Sequence, residues 1–402
     1  MMAAQLTIIG MGETGPESLS TPALLALADA QLIIAAPRFH EALSEQRDVT
    51  AKVLAWPQPY SDIFRLIDAA TETHIVLCTT GDPLWFGAGS GMLARFGQEK
   101  CHIIPHLSGF QLAAHHMGWA INDCETVTIH GRPIASILPY LYRRARVLVL
   151  AENRHSPHKL AELLDQHGFG TAQMTVLAHL GGRAEAVFCG QASGWSHDVP
   201  DFHMIAVQCP DLAPKTAGFG FDDAVFEHSG KLTKREARAS ALAKLAPFPG
   251  AVFWDVGAGS GAVAIEFMNV ARRCRAFAID KDPQQLAMAR RNATRCGVPA
   301  LSHIEADLPA GLDDLPAPDA IFIGGGLSPS VLRQCYDRLQ QGGNLVAHAV
   351  TLETEALLLQ GWQDYGGTLT RITVNFADPV GGYHGWRPLM PVTQWHVTKP
   401  QI

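Results

Sequence analysis

Three carboxylates and three glycines in the second half of the chain have types and spacing suited to holding a nucleoside. Phe253-Trp-Asp255-Val-Gly257-Ala-Gly259-Ser-Gly261 puts glycine at alternate positions behind an apolar run, residues 251–256, that reads as a buried strand. An apolar helical pattern through Val263, Ile265, Phe267 and Met268 follows. Strand, glycine turn and helix let the main chain approach a nucleotide closely, because no Cβ intrudes. Asp280 closes a second strand-like run, residues 276–279, where a carboxylate can accept hydrogen bonds from ribose hydroxyls. Asp307 follows a third short apolar stretch.

Three readings fit the turn: S-adenosylmethionine, NAD, or packing alone. Gly257, Gly259 and Ala262 satisfy the dinucleotide pattern G-x-G-x-x-A. Asp255 argues against NAD, since a carboxylate two residues before the first glycine would crowd a pyrophosphate. Acids at 255, 280 and 307, each at the end of a strand-like run, suit a phosphate-free ligand with an adenosine and a cationic amino-acid tail. S-adenosylmethionine is the favoured reading.

The first half carries a misleading match. Gly10-Met-Gly12-Glu-Thr-Gly15 fits G-x-G-x-x-G after a strand-like run, residues 6–9. The last glycine should open a helix, yet residues 16–20 intervene before the helix signal at Thr21, and no acid closes the next strand-like run. A more specific constellation follows: Thr79-Thr-Gly81-Asp82-Pro83-Leu-Trp-Phe-Gly87, then Pro105-His-Leu-Ser108-Gly-Phe-Gln-Leu-Ala-Ala114, then His130-Gly-Arg132. Gly81-Asp82-Pro83 alone would read as a simple turn.

The elements that position these residues alternate. Strand-like runs fall at residues 6–9, 32–35, 75–79, 126–129, 147–150, 174–177 and 204–208, with helix-like stretches between them. In one of these stretches Thr21 can cap and Pro22 suits the first helical position. Alternation predicts α/β architecture. Periodicity fades from residue 209 to 230, so the division expected is residues 1–210, a linker over 211–229, and residues 230–402. The second part opens at Leu232 with an amphipathic helix in which Ala237, Ala241 and Leu245 share a face.

At 402 residues, two domains are the expectation, and 47% hydrophobic with 17% charged residues supplies an ample core. A net charge of −7 without basic clustering disfavours nucleic acid. The eight cysteines are scattered with no C-x-x-C, so buried free thiols are expected, and no metal site. The 18 histidines lack metal-ligand spacing; His115-His116 point to different helix faces. No basic leader and no run of about 18 apolar residues occur, which predicts neither signal peptide nor membrane span and a cytoplasmic location.

From about residue 230 onward the chain resembles class I S-adenosylmethionine-dependent methyltransferases. The likeness is carried by Leu232-Thr-Lys-Arg-Glu-Ala-Arg238, residues 255–261, Ala278-Ile-Asp280, residues 319–326 and Gly342-Gly343. It implies a Rossmann-like seven-stranded sheet. Asp255, Gly257, Gly259 and Gly261 would lie at the cofactor turn, with Asp280 on the ribose, Asp307 near the adenine, and Thr233 and Glu353 as weaker candidates. Residues 6–208 resemble tetrapyrrole methylases, the class III methyltransferases, most specifically in Gly-Asp-Pro-x-x-x-Gly. That implies a two-lobed α/β domain with Gly10, Gly12, Gly81, Asp82, Pro83, Ser108 and Gly182 around a second molecule of cofactor, one per domain. The first loop departs from that family, with Glu13-Thr14 where Pro-Gly is usual.

The two halves in this order resemble bifunctional methylases of cobalamin biosynthesis. The implied activity is methylation of a precorrin at C-5 by the first half, and at C-15 by the second with loss of carbon dioxide from the C-12 acetate. So carboxylate-rich a substrate calls for arginine forks. Arg38, Arg132 and Arg183 are candidates in the first half and Arg238, Arg371 and Arg387 in the second; each could equally be a surface charge. Arg38, Arg132 and Glu353 are the residues proposed to act in catalysis. A methyltransferase acting on RNA or protein, with a tetrapyrrole-binding or carrier first domain, is the alternative. The families imply a homo-oligomer and hand-over of intermediates to neighbouring pathway enzymes.

Overall fold

The structure, a computed structural model, describes residues 5–212 and 218–401. Part of the expected linker, residues 213–217, lies outside the described residues. Packing divides the chain into two units, Met1–Ile134 with Arg143–Pro214 and Ala135–Tyr142 with Lys215–Ile402.

The first unit holds two sheets. Strands β1 (Gln5–Met11), β2 (Leu32–Ala35), β3 (Lys52–Ala55), β4 (His74–Thr80) and β5 (Cys101–Ile104) form a parallel sheet in the order β3-β2-β4-β1-β5. Both faces are covered, as a parallel sheet requires. Ile9, Met11, Val76 and Cys78 pack against α1 (Thr21–Ala28) and α2 (His40–Ser44), while Leu6, Ile8, Ile75 and Leu77 pack against α3 (Asp62–Ala69) and α4 (Gly89–Phe96). Side chains alternate between the two faces of a strand, so each strand feeds both cores. Helix α1 begins one residue earlier than its proline suggested. Ser20, in extended conformation, is the N-cap and Thr21 is already helical.

Helix α5 (Gly109–Met117) leads out of this sheet. A capping box fixes its start, with Ser108 Oγ accepting from Gln111 N–H and the Gln111 side chain accepting from Ser108 N–H. Its Phe110, Ala113 and Ala114 pack on the second sheet through Leu148, Leu177, Met204 and Ala206. That sheet comprises β6 (Glu125–Thr128), β7 (Arg146–Leu150), β8 (Gln173–Ala178), β9 (Ala186–Gln191) and β10 (His203–Gln208), in the order β6-β7-β10-β8-β9, with α6 (Ser156–Gln166) after β7. Only β6 and β7 pair in parallel.

The second unit is a seven-stranded sheet. After α7 (Arg235–Leu245) come β11 (Val252–Val256), α8 (Ala262–Val270), β12 (Arg275–Asp280), α9 (Pro283–Arg295), β13 (Ser302–Glu305), β14 (Ala320–Ile323), α10 (Pro329–Arg338), β15 (Asn344–Ala349), α11 (Leu352–Tyr365), β16 (Thr368–Ile372), β17 (Asn375–Val380), β18 (Tyr383–Pro388) and β19 (Val392–Thr398). The order is β13-β12-β11-β14-β15-β19-β16, with β19 antiparallel to both of its neighbours. Phe253, Ala278, Phe322 and Val346 face α7, α8 and α9; Trp254, Ile279, Ile321 and Ile323 face α10 and α11. The order of the parallel strands reverses between β11 and β14, and ligands of such sheets bind outside the strand ends at that point. Strands β17 and β18 form a separate hairpin bearing the exposed Tyr383 and Trp386.

Candidate active site

In the second unit the switch point is occupied by the glycine turn. Gly257, Gly259 and Gly261 all take positive φ, at 68°, 53° and 74°. Gly257 and Ala258 N–H both donate to Ile279 O, at 2.9 and 3.1 Å, which locks the turn onto β12. A Cβ on Gly257 would lie 2.5 Å from the carbonyl oxygen of Gly325, in the loop after β14. The turn is thus a cradle that a single added carbon would obstruct.

Asp280 ends β12 beside this cradle. Its Oδ2 accepts from Gly259 N–H at 2.9 Å and its Oδ1 from Asp282 N–H at 3.0 Å. Asp307 is exposed on the loop after β13, the next strand end. Thr233 is half-buried in the segment entering α7; that segment borders the turn, since a Cβ on Gly259 would stand 3.7 Å from Lys231 O. Thr233 does not cap the helix, whose N-cap is Lys234. Asp255 lies beneath the turn, 1% exposed, accepting from Ala264 N–H in α8 at 3.0 Å. Burial, opposed by that hydrogen bond and aided by nearby Asp280, pushes its carboxyl up to about 8.

Glu353 stands exposed in the first turn of α11, its carboxylate held below the usual range by its own N–H and the Thr351 hydroxyl, as a solvated helix-start acid would be. The three candidate arginines of this unit are already engaged. Arg238 is corrected outright as a substrate ligand: it is fully buried, donating to Glu266 at 2.7 Å, Asp223 at 3.1 Å and the carbonyls of Thr233 and Phe221. Arg371 pairs with Glu355, and Arg387 with Asp378 at 2.7 Å within the hairpin.

The first unit assembles its residues at the C-terminal ends of β1, β4 and β5. A Cβ on Gly10 would lie 2.4 Å from Gly81 O and 2.6 Å from His106 Cβ, so these loops close on each other only with glycine. Gly12 N–H donates to Ser18 Oγ, and Gly81, with φ of 70°, donates to Met11 O. Asp82 Oδ1 accepts from Leu84 and Trp85 N–H, shaping the turn at Pro83. An open cavity of about 560 Å³ lies there, lined by Asp82, Leu84, Trp85, His106 and Gln111 among others. Ser108 is 2% exposed and spends its hydroxyl on the α5 cap, so it shapes the wall from behind. Gly182 packs on Glu13. Arg38 donates to Thr80 Oγ1 at 2.7 Å and lies 4.4 and 4.3 Å from the ring centroids of Phe39 and Phe202. Arg132 is exposed, 5.8 Å from the Phe86 ring centroid, and Arg183 pairs at the surface with Glu17.

Two features escaped the sequence reading. Glu13 Oε1 sits 2.7 Å from His179 Nδ1, although 166 residues separate them; the departure at Glu13-Thr14 was a signal for one partner, but nothing paired it with His179. His348 on β15 is half-buried, packed against Phe322 and bonded to Gln394, and desolvation pulls its imidazole down to about 3. All eight cysteines are free, but Cys189 is exposed and Cys124 and Cys274 are only half-buried.

Topology and turn together define a class I methyltransferase unit preceded by an α/β unit built around its own glycine loops. The tetrapyrrole (corrin/porphyrin) methylase family model matches residues 5–193, and the precorrin methyltransferase domain model matches residues 224–399. The chain is 40% identical over 401 residues to a precorrin-6Y C(5,15)-methyltransferase (decarboxylating) of Sinorhizobium sp., covering 98% of this chain and 96% of the relative. The chain belongs to that family. Two shorter relatives each span less than half of it. A probable cobalt-precorrin-6B C(15)-methyltransferase (decarboxylating) of Pyrobaculum calidifontis is 32% identical over 43% of this chain and 92% of its own. A cobalt-precorrin-7 C(5)-methyltransferase of Salmonella typhimurium is 29% identical over 42% of this chain and 83% of its own.

Proposed function

We propose that this chain methylates a precorrin at C-5 with its first unit and at C-15 with its second, with loss of carbon dioxide from the C-12 acetate. Each unit takes its own molecule of S-adenosylmethionine, which supplies an electrophilic methyl group. The observation that carries this reading is the pairing of a class I sheet, glycine turn at its switch point, with a preceding glycine-loop α/β unit in a chain of this family. The two shorter relatives support the division of labour, because each carries one of the two methylations, and decarboxylation travels with C-15.

The residues fit the donor. In the second unit the cradle is one that a Cβ on Gly257 would obstruct, and Asp280 offers the ribose a carboxylate. Asp307, on the loop at the next strand end, is assigned to the adenine, and Thr233 lies in the segment that borders the turn. Asp255 acts from below, holding the N-terminus of α8. In the first unit Gly10, Gly12, Gly81, Asp82, Pro83 and Ser108 are the donor residues assigned around the cavity, with Gly182 behind them on Glu13. These residues bind and orient; in-line placement of carbon and methyl supplies most of the rate. Arg38, bonded to Thr80, and Arg132, over the Phe86 ring, are cations beside the first cavity's loops, and Glu353 stands at the edge where the strands of the second sheet end. For decarboxylation, the second unit's task is to orient the acetate and exclude water while the macrocycle accepts electrons.

Mass spectrometry of the product from a purified precorrin tests the proposal. Two methyl groups gained and one carbon dioxide lost is the expected outcome. A product with methyl groups on RNA or protein, and an unchanged precorrin, would overturn it.

A further inference from the structure

Glu13 and His179 form a carboxylate–imidazole pair outside the residues assigned above to donor binding. The Glu13 side chain is 12% exposed; its Oε1 meets His179 Nδ1 at 2.7 Å, while its buried Oε2 has no hydrogen-bond partner and lies 3.6 Å from Arg38 Nε. Three details show that the pair is built in. His179 holds a left-handed backbone, φ 49°, which costs a non-glycine residue energy and gathers at working sites. Gly182 leaves room for the acid, since a Cβ there would lie 2.5 Å from Glu13 Cγ. The imidazole also lies against Phe202, ring centroids 6.0 Å apart. With Nδ1 committed to the carboxylate, Nε2 is the free end of a ring whose side chain is 27% exposed.

Three neighbours link the pair to residues around the first unit's cavity. Glu13 belongs to the Gly10–Gly15 loop. Arg38 bonds Thr80, the residue before Gly81. A Cβ on Gly181 would meet Leu112 Cδ1 at 3.8 Å, next to the cavity-lining Gln111.

We propose that His179 takes up the proton that the meso carbon sheds when the first unit methylates C-5, with Glu13 as its positioning residue. The inference rests on the functional reading above. A meso =CH– carbon uses its π electrons to bond the methyl carbon, and the carbon–sulfur pair stays on sulfur. The carbon then bears both hydrogen and methyl, and the macrocycle carries a positive charge. Conjugation returns when the C–H bond breaks, its electron pair re-entering the ring system and its proton passing to Nε2 of neutral His179. The imidazolium is stabilised by the Glu13 carboxylate on Nδ1 and later releases its proton to water.

The same pair can be tested without methyl transfer. In deuterium oxide, with a precorrin bound and no sulfonium present, a protonated His179 delivers deuterium to the nucleophilic meso carbon and removes hydrogen. Wild-type protein is expected to wash deuterium into C-5 faster than buffer does. H179N should slow that exchange and C-5 methylation alike by ~10²-fold or more, and E13Q, which keeps a hydrogen bond but not the charge, by less. Binding of S-adenosylhomocysteine to both units, measured by calorimetry on the full chain, should persist in both variants. The proposal is overturned if wild type exchanges no faster than buffer. It is equally overturned if H179N exchanges and methylates at the wild-type rate, or loses donor binding in step with its rate. Wild type that adds no methyl at C-5 would instead defeat the functional reading itself.

Discussion

Gly257 has no room for a side chain and no ordinary backbone to offer one. Its φ is 68° and a Cβ would stand 2.5 Å from the main-chain oxygen of Gly325, which cannot swing away as a side chain would. G257A is therefore expected to destabilise the second unit by ~1–3 kcal/mol and to abolish donor binding there, read by calorimetry as one mole of S-adenosylhomocysteine per chain instead of two. Asp255, directly below, makes a different prediction. Its carboxyl is raised from 3.8 to about 8 in the folded state. Between those values the folded chain holds more protons than the unfolded one, so stability is greatest below the ordinary carboxylate range and is lost as pH rises through about 8. D255N should remove this dependence, flattening a slope of up to ~1.4 kcal/mol per pH unit. Urea denaturation at a series of pH values measures it; an equal slope in D255N and wild type would place the pH dependence elsewhere.

Arg238 shows how an element is fastened. The helix α7 carries this fully buried guanidinium to Glu266 of α8, itself 0% exposed, and to carbonyls of the segment leading into α7. Glu266 in turn accepts from Gly220 and Phe221 N–H at 2.6 and 3.0 Å. R238M would strand a buried carboxylate and should cost ~3–5 kcal/mol, whereas R238M with E266L should cost markedly less. A double-mutant cycle in urea checks the coupling. The sequence made this arginine a substrate candidate because residue type alone cannot distinguish a carboxylate in the ligand from one in the protein. The three strands of the first unit that escaped the sequence share a cause. β3, β5 and β9 are all sheet edges, with one neighbour each, and β9 alternates between half-buried and exposed residues instead of forming an apolar run. The central strands of the first unit, together with β11 and β12, were legible, as were the glycine turns, because both are set by local sterics and burial. The Glu13–His179 contact was not, since it depends on two loops 166 residues apart meeting over α5.

For the whole molecule, two glycine-loop units on one chain imply two separable reactions, and single-residue lesions can separate them without cutting the chain. A Cβ on Gly10 would lie 2.4 Å from Gly81 O and 2.6 Å from His106 Cβ, so G10A spreads the loops of the first unit. Its sheet shares no strand with the sheet that carries Gly257. G10A is thus expected to yield a product with one new methyl group, at C-15, and carbon dioxide released at close to the wild-type rate. G257A is expected to release none. Labelled acetate carbon and product mass, followed in parallel for the two variants, give four readings from which the division follows. Carbon dioxide release lost in G10A but kept in G257A would reverse the assignment of the two methylations. Loss of both methylations and of decarboxylation in each variant would mean that the units work only as one site, and separate donor pockets would no longer explain why the family joins them in a single chain.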